Sequence, residues 1–236
     1  MLNRKELYAD ENEPFPIERN KRITAIAGIV LFVLIIAELV ITANLDALRS
    51  EHIFVGVLLA GPLVVKMGST GYRFFRYYTK SPEFVKAGPP NILLRLLAPF
   101  LVVMTILVFI SGVGLVLGGH AYEGLFHKIH TVSVTLWLPL LAVHIFAYLR
   151  KAASLMANDW SSISKYHFPG RASRLGINIA ALILSGIAAI IITPLRVGRH
   201  GQWDIPGPIA LGIVASVIAV LIAIPILRLT NKRPKL

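Results

Sequence analysis

Residues 96–122 read LLAPFLVVMTILVFISGVGLVLGGHAY, a run without one Asp, Glu, Lys or Arg. Roughly 20 predominantly apolar residues in helical conformation cross the ~30 Å hydrocarbon layer of a bilayer, so this run is long enough to span one. Backbone polar groups inside hydrocarbon must pair within their own segment or around a closed barrel. The run lacks the period-two alternation of a barrel strand, and a transmembrane helix is the expected structure.

Working outward, charge marks further spans. Between Arg22 and Asp46 the only charge is Glu38, and between Glu51 and Arg73 the only charge is Lys66. Uncharged runs also fill 129–149, 175–195 and 205–227. The sequence predicts an all-α integral membrane protein with six transmembrane helices, at about 23–45, 52–72, 96–119, 129–149, 175–195 and 205–227. Residues 1–22 are expected to be a polar cytosolic tail and 23–236 a single membrane domain. The tail lacks the apolar core of a secretory signal, so the first hydrophobic segment is expected to insert as an uncleaved anchor.

Composition agrees. Of 236 residues, 56% are apolar and 15% charged, against roughly 25% charged in soluble domains. The absence of cysteine excludes disulfides, thiolate metal sites, iron–sulfur clusters and covalent c-type haem. A net charge of +12 invites a nucleic-acid reading, but the basic residues lie in blocks between apolar runs, as in membrane proteins. With a cytosolic N-terminus, nineteen Lys and Arg fall in the tail, 73–95, 150–174 and the segment from Arg228, while Arg49, Lys128, Arg196 and Arg199 fall outside. That asymmetry predicts a multi-pass protein of the cell membrane with both termini cytosolic. The loop after Gly71 mixes aromatics with cations, as an interfacial anchor does. Gly112, Gly114 and Gly118 echo a phosphate loop only loosely, lie in an uncharged run with no preceding strand, and read as helix packing.

Ionisable groups inside spans are functional candidates by default. His52 opens the second span, His127 and His130 open the fourth, and His144 lies near the fourth span's other end. Fourteen helical residues from His130 to His144 return to within about 40° of one face and rise about 21 Å, leaving an imidazole near each leaflet. His127 is about 100° from His144 on the same reckoning, although Pro139 between them can bend the helix. A haem b takes axial imidazoles from two facing helices. His52 supplies the partner at the depth of His130, with Gly56, Gly112, Gly114 and Gly118 as small residues to flank the ring. The competing reading makes both histidines hydrogen-bonded interfacial residues.

Lys66 follows His52 by fourteen residues and mirrors His144. It reads as a lysine snorkelling to the interface, or as a charge partner for a haem propionate or a quinone. Met67 reads as packing or as a thioether ligand. His144 reads as a hydrogen-bonded core residue, a quinone contact or a ligand. Together Lys66 and His144 are expected to form a polar pocket for a quinone headgroup or a propionate. Glu38 either makes a structural hydrogen bond or handles protons, and His120, His167 and His200 are expected at the surface.

The stretches HIFVGVLLAGPLVVKMGSTGYRFFRYYTKSPEFVKAGPP (52–90), LLRLLAPFLVVMTILVFISGVGLVLGG (93–119) and HTVSVTLWLPLLAVH (130–144) resemble bacterial transmembrane b-type cytochromes. The broader group is the cytochrome b-561 and ferric-reductase-like four-helix haem proteins. The resemblance covers about residues 50–150 and implies a four-helix haem-binding bundle at the centre of the chain. It implies one haem between the second and fourth helices, which matches His52 and His130 as the metal ligands. A second haem in that group takes histidines from the third and fifth helices, and these helices hold none here. One non-covalent haem b is the expectation. The resemblance further implies electron exchange with a quinone or with a redox partner such as a molybdopterin oxidoreductase. The alternative is a haem-free membrane anchor or a transporter-like subunit. A self-sufficient reductase would need an electron source that this chain lacks.

Overall fold

A computed structural model describes residues 15–88, 91–160, 168–195 and 206–230. His167 and His200 lie outside the described residues, while His120 is exposed as expected. The described chain is helical: α1 (Phe15–Thr42), α2 (Arg49–Leu58), α3 (Ala60–Tyr78), the short α4 (Pro82–Ala87), α5 (Ile92–Leu117), α6 (His120–Trp160), α7 (Arg171–Ile192) with a 3-10 turn Thr193–Leu195, and α8 (Pro206–Thr230). Six segments, with α2 and α3 counted as one, are long and apolar enough to cross a membrane. The protein is an all-α membrane protein. Large apolar side chains such as Val40, Val64, Leu96, Leu184 and Leu221 stand exposed, as residues bathed by lipid do.

The chain forms two compact units, one of Met1–Leu39, Val57–Pro89 and Tyr148–Ile190, the other of Val40–Gly56, Pro90–Ala147 and Ile191–Leu236. In the first unit, α1 starts at Phe15 rather than near residue 23, and α6 continues to Trp160 rather than ending near 149. The cause is a buried ionic cluster that neither charge counting nor hydropathy predicts. Asp159 of α6 accepts hydrogen bonds from two guanidiniums: Arg22 Nη1 of α1 reaches Oδ1 at 2.7 Å, and Arg174 Nε of α7 reaches Oδ2 at 2.9 Å. Arg174 Nη2 donates to Oδ1 as well. Glu18 accepts from Arg22 Nε at 2.7 Å. All four side chains are at most 4% exposed. The ring of Phe168 lies 4.9 Å from Arg22 Cζ and 5.0 Å from Arg174 Cζ, within cation–π range. Among the described residues two cations meet two carboxylates, so these four charges balance and each is hydrogen-bonded.

The same unit contains the break between α2 and α3. Pro62 has no N–H, so the carbonyl of Leu58 loses its helical donor. Ser185 of α7 supplies one, its hydroxyl donating to Leu58 O at 2.9 Å. Gly61 makes that approach feasible, because a β-carbon there would overlap the backbone of Ala181.

In the second unit α5, α6 and α8 pack around small residues. Trp137 Nε1 donates to Thr105 Oγ1 at 2.9 Å, which satisfies an indole inside a span. A β-carbon on Gly212 of α8 would come within 2.7 Å of Leu138. Thr135 donates to the Pro208 carbonyl at 3.3 Å and Asn91 to Thr230 at 2.6 Å.

Removing one partner of a buried ion pair leaves a charge uncompensated, at a cost of about 3–5 kcal/mol. Asp159→Ala strips both guanidiniums and should lower the thermal midpoint of the detergent-solubilised protein sharply, or abolish its accumulation. Glu83→Ala, at an exposed position, should leave the midpoint in place, and equal midpoints for the two variants would refute this account of the cluster.

Candidate functional site

The second unit brings together two of the five histidine and lysine candidates. His52 projects from α2 and His130 from α6, and their rings meet with centroids 6.3 Å apart and planes at 80°. Both side chains are half-buried.

His130 is oriented by α5. Its Nδ1 lies 3.1 Å from the Val108 carbonyl oxygen and 3.0 Å from Ser111 Oγ. A carbonyl oxygen only accepts, so Nδ1 carries the proton and donates to Val108. The Ser111 hydroxyl donates to backbone carbonyls of its own helix, Leu107 and Val108, which leaves its oxygen to accept from the same imidazole. With Nδ1 protonated, the neutral ring has its lone pair on Nε2. That is the arrangement of a ligating histidine, whose other nitrogen is fixed by a carbonyl or carboxylate.

The spacing has a chemical consequence. Metal–imidazole bonds are about 2 Å long, so nitrogens on opposite sides of one metal stand about 4 Å apart. Ring centroids lie roughly 1 Å behind their nitrogens, so such a pair has centroids about 6 Å apart. The observed 6.3 Å matches that spacing. Among the described residues no group of three or more His, Cys, Asp or Glu could hold a bare metal ion.

The glycines divide differently from the expectation that all would flank a planar group. Gly112 does abut the site, since a β-carbon there would lie 3.4 Å from His130 Cε1. Gly56, one turn after His52 on α2, has open space where its β-carbon would be. Gly114 and Gly118 instead receive the ring of Phe126 from α6, so these two serve α5–α6 packing.

His127 lies on α6 one turn before His130, and it is the His130 ring that meets His52. His144 is half-buried on α6 in the second unit, whereas Lys66 belongs to the first. A β-carbon on Gly28 of α1 would be 2.9 Å from Lys66 Nζ, so the amine ends against the α1 backbone. Met67 and Glu38 are half-buried in the first unit. Sequence reading missed Val108 and Ser111 altogether. The only available signal was Ser111 as a polar residue in the uncharged run of α5, and a backbone carbonyl leaves no trace in composition.

Because Phe126 fills the space at Gly114, Gly114→Ala should overpack the α5–α6 contact and cost about 1–3 kcal/mol. Pairing it with Phe126→Leu should recover most of that loss in thermal unfolding, and a double variant no better than the single one would show that Phe126 is not the obstacle. No protein-family model, curated protein or solved structure matches this chain.

Proposed function

We propose that this protein is a membrane b-type cytochrome that holds one non-covalent haem b between His52 and His130 and passes single electrons between a quinone pool and a redox partner protein. The observation that carries the proposal is the 6.3 Å centroid separation of these two rings, together with an Nδ1–H of His130 committed to the Val108 carbonyl. His52 and His130 would be the two protein ligands that a haem iron takes in addition to its own ring nitrogens. The haem supplies the one-electron chemistry, and the chain supplies ligation, depth and electrostatics. His52 and His130 would hold the group, His130 through the Nε2 that its Nδ1–H bond to Val108 leaves as the lone-pair nitrogen. Val108 and Ser111 hold the second imidazole in its ligating tautomer and increase its basicity. Gly112 keeps the flank of His130 clear, and the apolar helices exclude water from the site.

The distribution of basic residues supports both termini on the cytosolic side of the cell membrane, which places the histidine pair toward the outer leaflet. Single cysteines His120→Cys and Trp160→Cys should therefore label from opposite faces of sealed vesicles. Labelling of both from one face would overturn this orientation.

Optical spectra of the purified protein, oxidised and dithionite-reduced, are the direct test. Low-spin haem b at about one per chain is expected, lost in His52→Ala and in His130→Ala and kept in His200→Ala. Haem loss in His127→Ala with full retention in His130→Ala would reassign the ligand, and retention in all of these variants would end the bis-histidine assignment. Ser111→Ala should keep the haem and shift its reduction potential, since one acceptor of the ligand's N–H disappears.

A further inference from the structure

A second candidate site lies in the first unit. A cavity of about 190 Å³ is lined by Phe15, Pro16, Arg19, Asn20, Ile23 and Tyr72. Its volume equals about six waters at ~30 Å³ each, which is the scale of a small polar headgroup and below the ~300 Å³ at which drug-sized sites begin.

Its walls are built rather than incidental. Phe15 stacks on Phe168 with centroids 5.1 Å apart, and the guanidiniums of Arg22 and Arg174 both lie about 5 Å from the Phe168 ring centre. Tyr72 is set by an edge contact with the buried Phe84 of α4, centroids 5.7 Å apart. Asn20 is only 9% exposed, and its Oδ1 is buried with no hydrogen-bond donor. Such an orphan acceptor is costly. A small turn about its last, broad torsion presents it to a group in the cavity.

Arg19 behaves unlike its neighbour Arg22. Its described hydrogen-bond partner is the hydroxyl of Ser173, at a long 3.4 Å, and among the described residues no carboxylate lines the cavity. The complementary ligand carries an anion for Arg19 and a hydrogen-bond donor for Asn20. The cavity adjoins the start of one spanning helix and the aromatic, cationic end of another, the level at which interfacial side chains meet headgroups.

We propose that this cavity binds the headgroup of an anionic phospholipid bearing a hydroxyl donor, of the phosphatidylglycerol class. The phosphate accepts from the Arg19 guanidinium, the headgroup hydroxyl donates to Asn20, and Phe15, Pro16 and Ile23 line the path toward the acyl chains. A choline headgroup has no donor for Asn20 and no net charge for Arg19.

Native mass spectrometry of the detergent-solubilised full chain, titrated with phosphatidylglycerol or phosphatidylcholine, tests this. One saturable phosphatidylglycerol per chain is expected, bound about tenfold more weakly by Arg19→Ala and by Asn20→Leu and normally by Lys80→Ala, which removes an exposed cation elsewhere. Arg19 is exposed, so its variant reads the site even if the Asn20 variant folds poorly. Equal binding of phosphatidylcholine, or wild-type binding by Arg19→Ala, overturns the proposal. Displacement of the lipid by matched concentrations of glycerol phosphate would identify a soluble phosphate as the ligand and overturn the lipid assignment.

Discussion

A polar group inside hydrocarbon has no water to fall back on, and most of the particular contacts in this protein follow from that. Helices satisfy the backbone, but each proline in a span frees one carbonyl four residues earlier. The α2–α3 break is such a place. Ser185 of the neighbouring helix completes the Leu58 carbonyl, and a glycine at 61 allows the two backbones to come close enough. Side-chain hydroxyls elsewhere bond back to their own helix, as Thr105 does to Leu101 and Ser111 to Leu107. The hydroxyl oxygen then remains available as an acceptor for a neighbouring donor.

That spare acceptor capacity is used at the histidines. Trp137 takes Thr105, and His130 takes Ser111 together with the Val108 carbonyl. The need to satisfy an imidazole N–H in a low-dielectric setting thereby selects a tautomer, and the tautomer decides which nitrogen is left for chemistry. The Nδ1–H tautomer of His130 follows from the same requirement that satisfies the other polar groups of its unit. No separate device for orienting the ring is needed.

The spans were legible because their signal is compositional: long uncharged runs mean helices in a bilayer whatever their neighbours. The matched depth of His52 and His130 was also legible, since helical rise and position along the chain fix depth, whereas their facing one another was only implied by the resemblance. Two things were not. The glycines of α5 look alike in sequence, yet Gly112 abuts His130 while Gly114 and Gly118 accommodate Phe126. Which of them faces which neighbour depends on rotation about the α5 axis, and an evenly apolar helix carries no pattern that sets it. The second was the ionic cluster. Glu18, Arg22, Asp159 and Arg174 lie in segments that read as a polar tail and a basic loop, and their pairing joins residues 137 apart in sequence.

The cluster also explains why two arginines one turn apart on α1 differ so much. Arg22 is 1% exposed and bonded to two carboxylates, while Arg19 is exposed and meets only a hydroxyl among the described residues. Burying a guanidinium is tolerable only with charge compensation and hydrogen bonds. Asp159 and Glu18 provide both for Arg22, and Asp159 again for Arg174. Among the described residues these carboxylates serve Arg22 and Arg174, while the partner of Arg19 is the Ser173 hydroxyl. The two guanidiniums that Asp159 holds lie beside Phe168, and Phe15, stacked on that ring, forms part of the wall of the cavity beside Arg19. Charge balance among the four described members of the cluster and the exposure of Arg19 at its edge go with the same pairing.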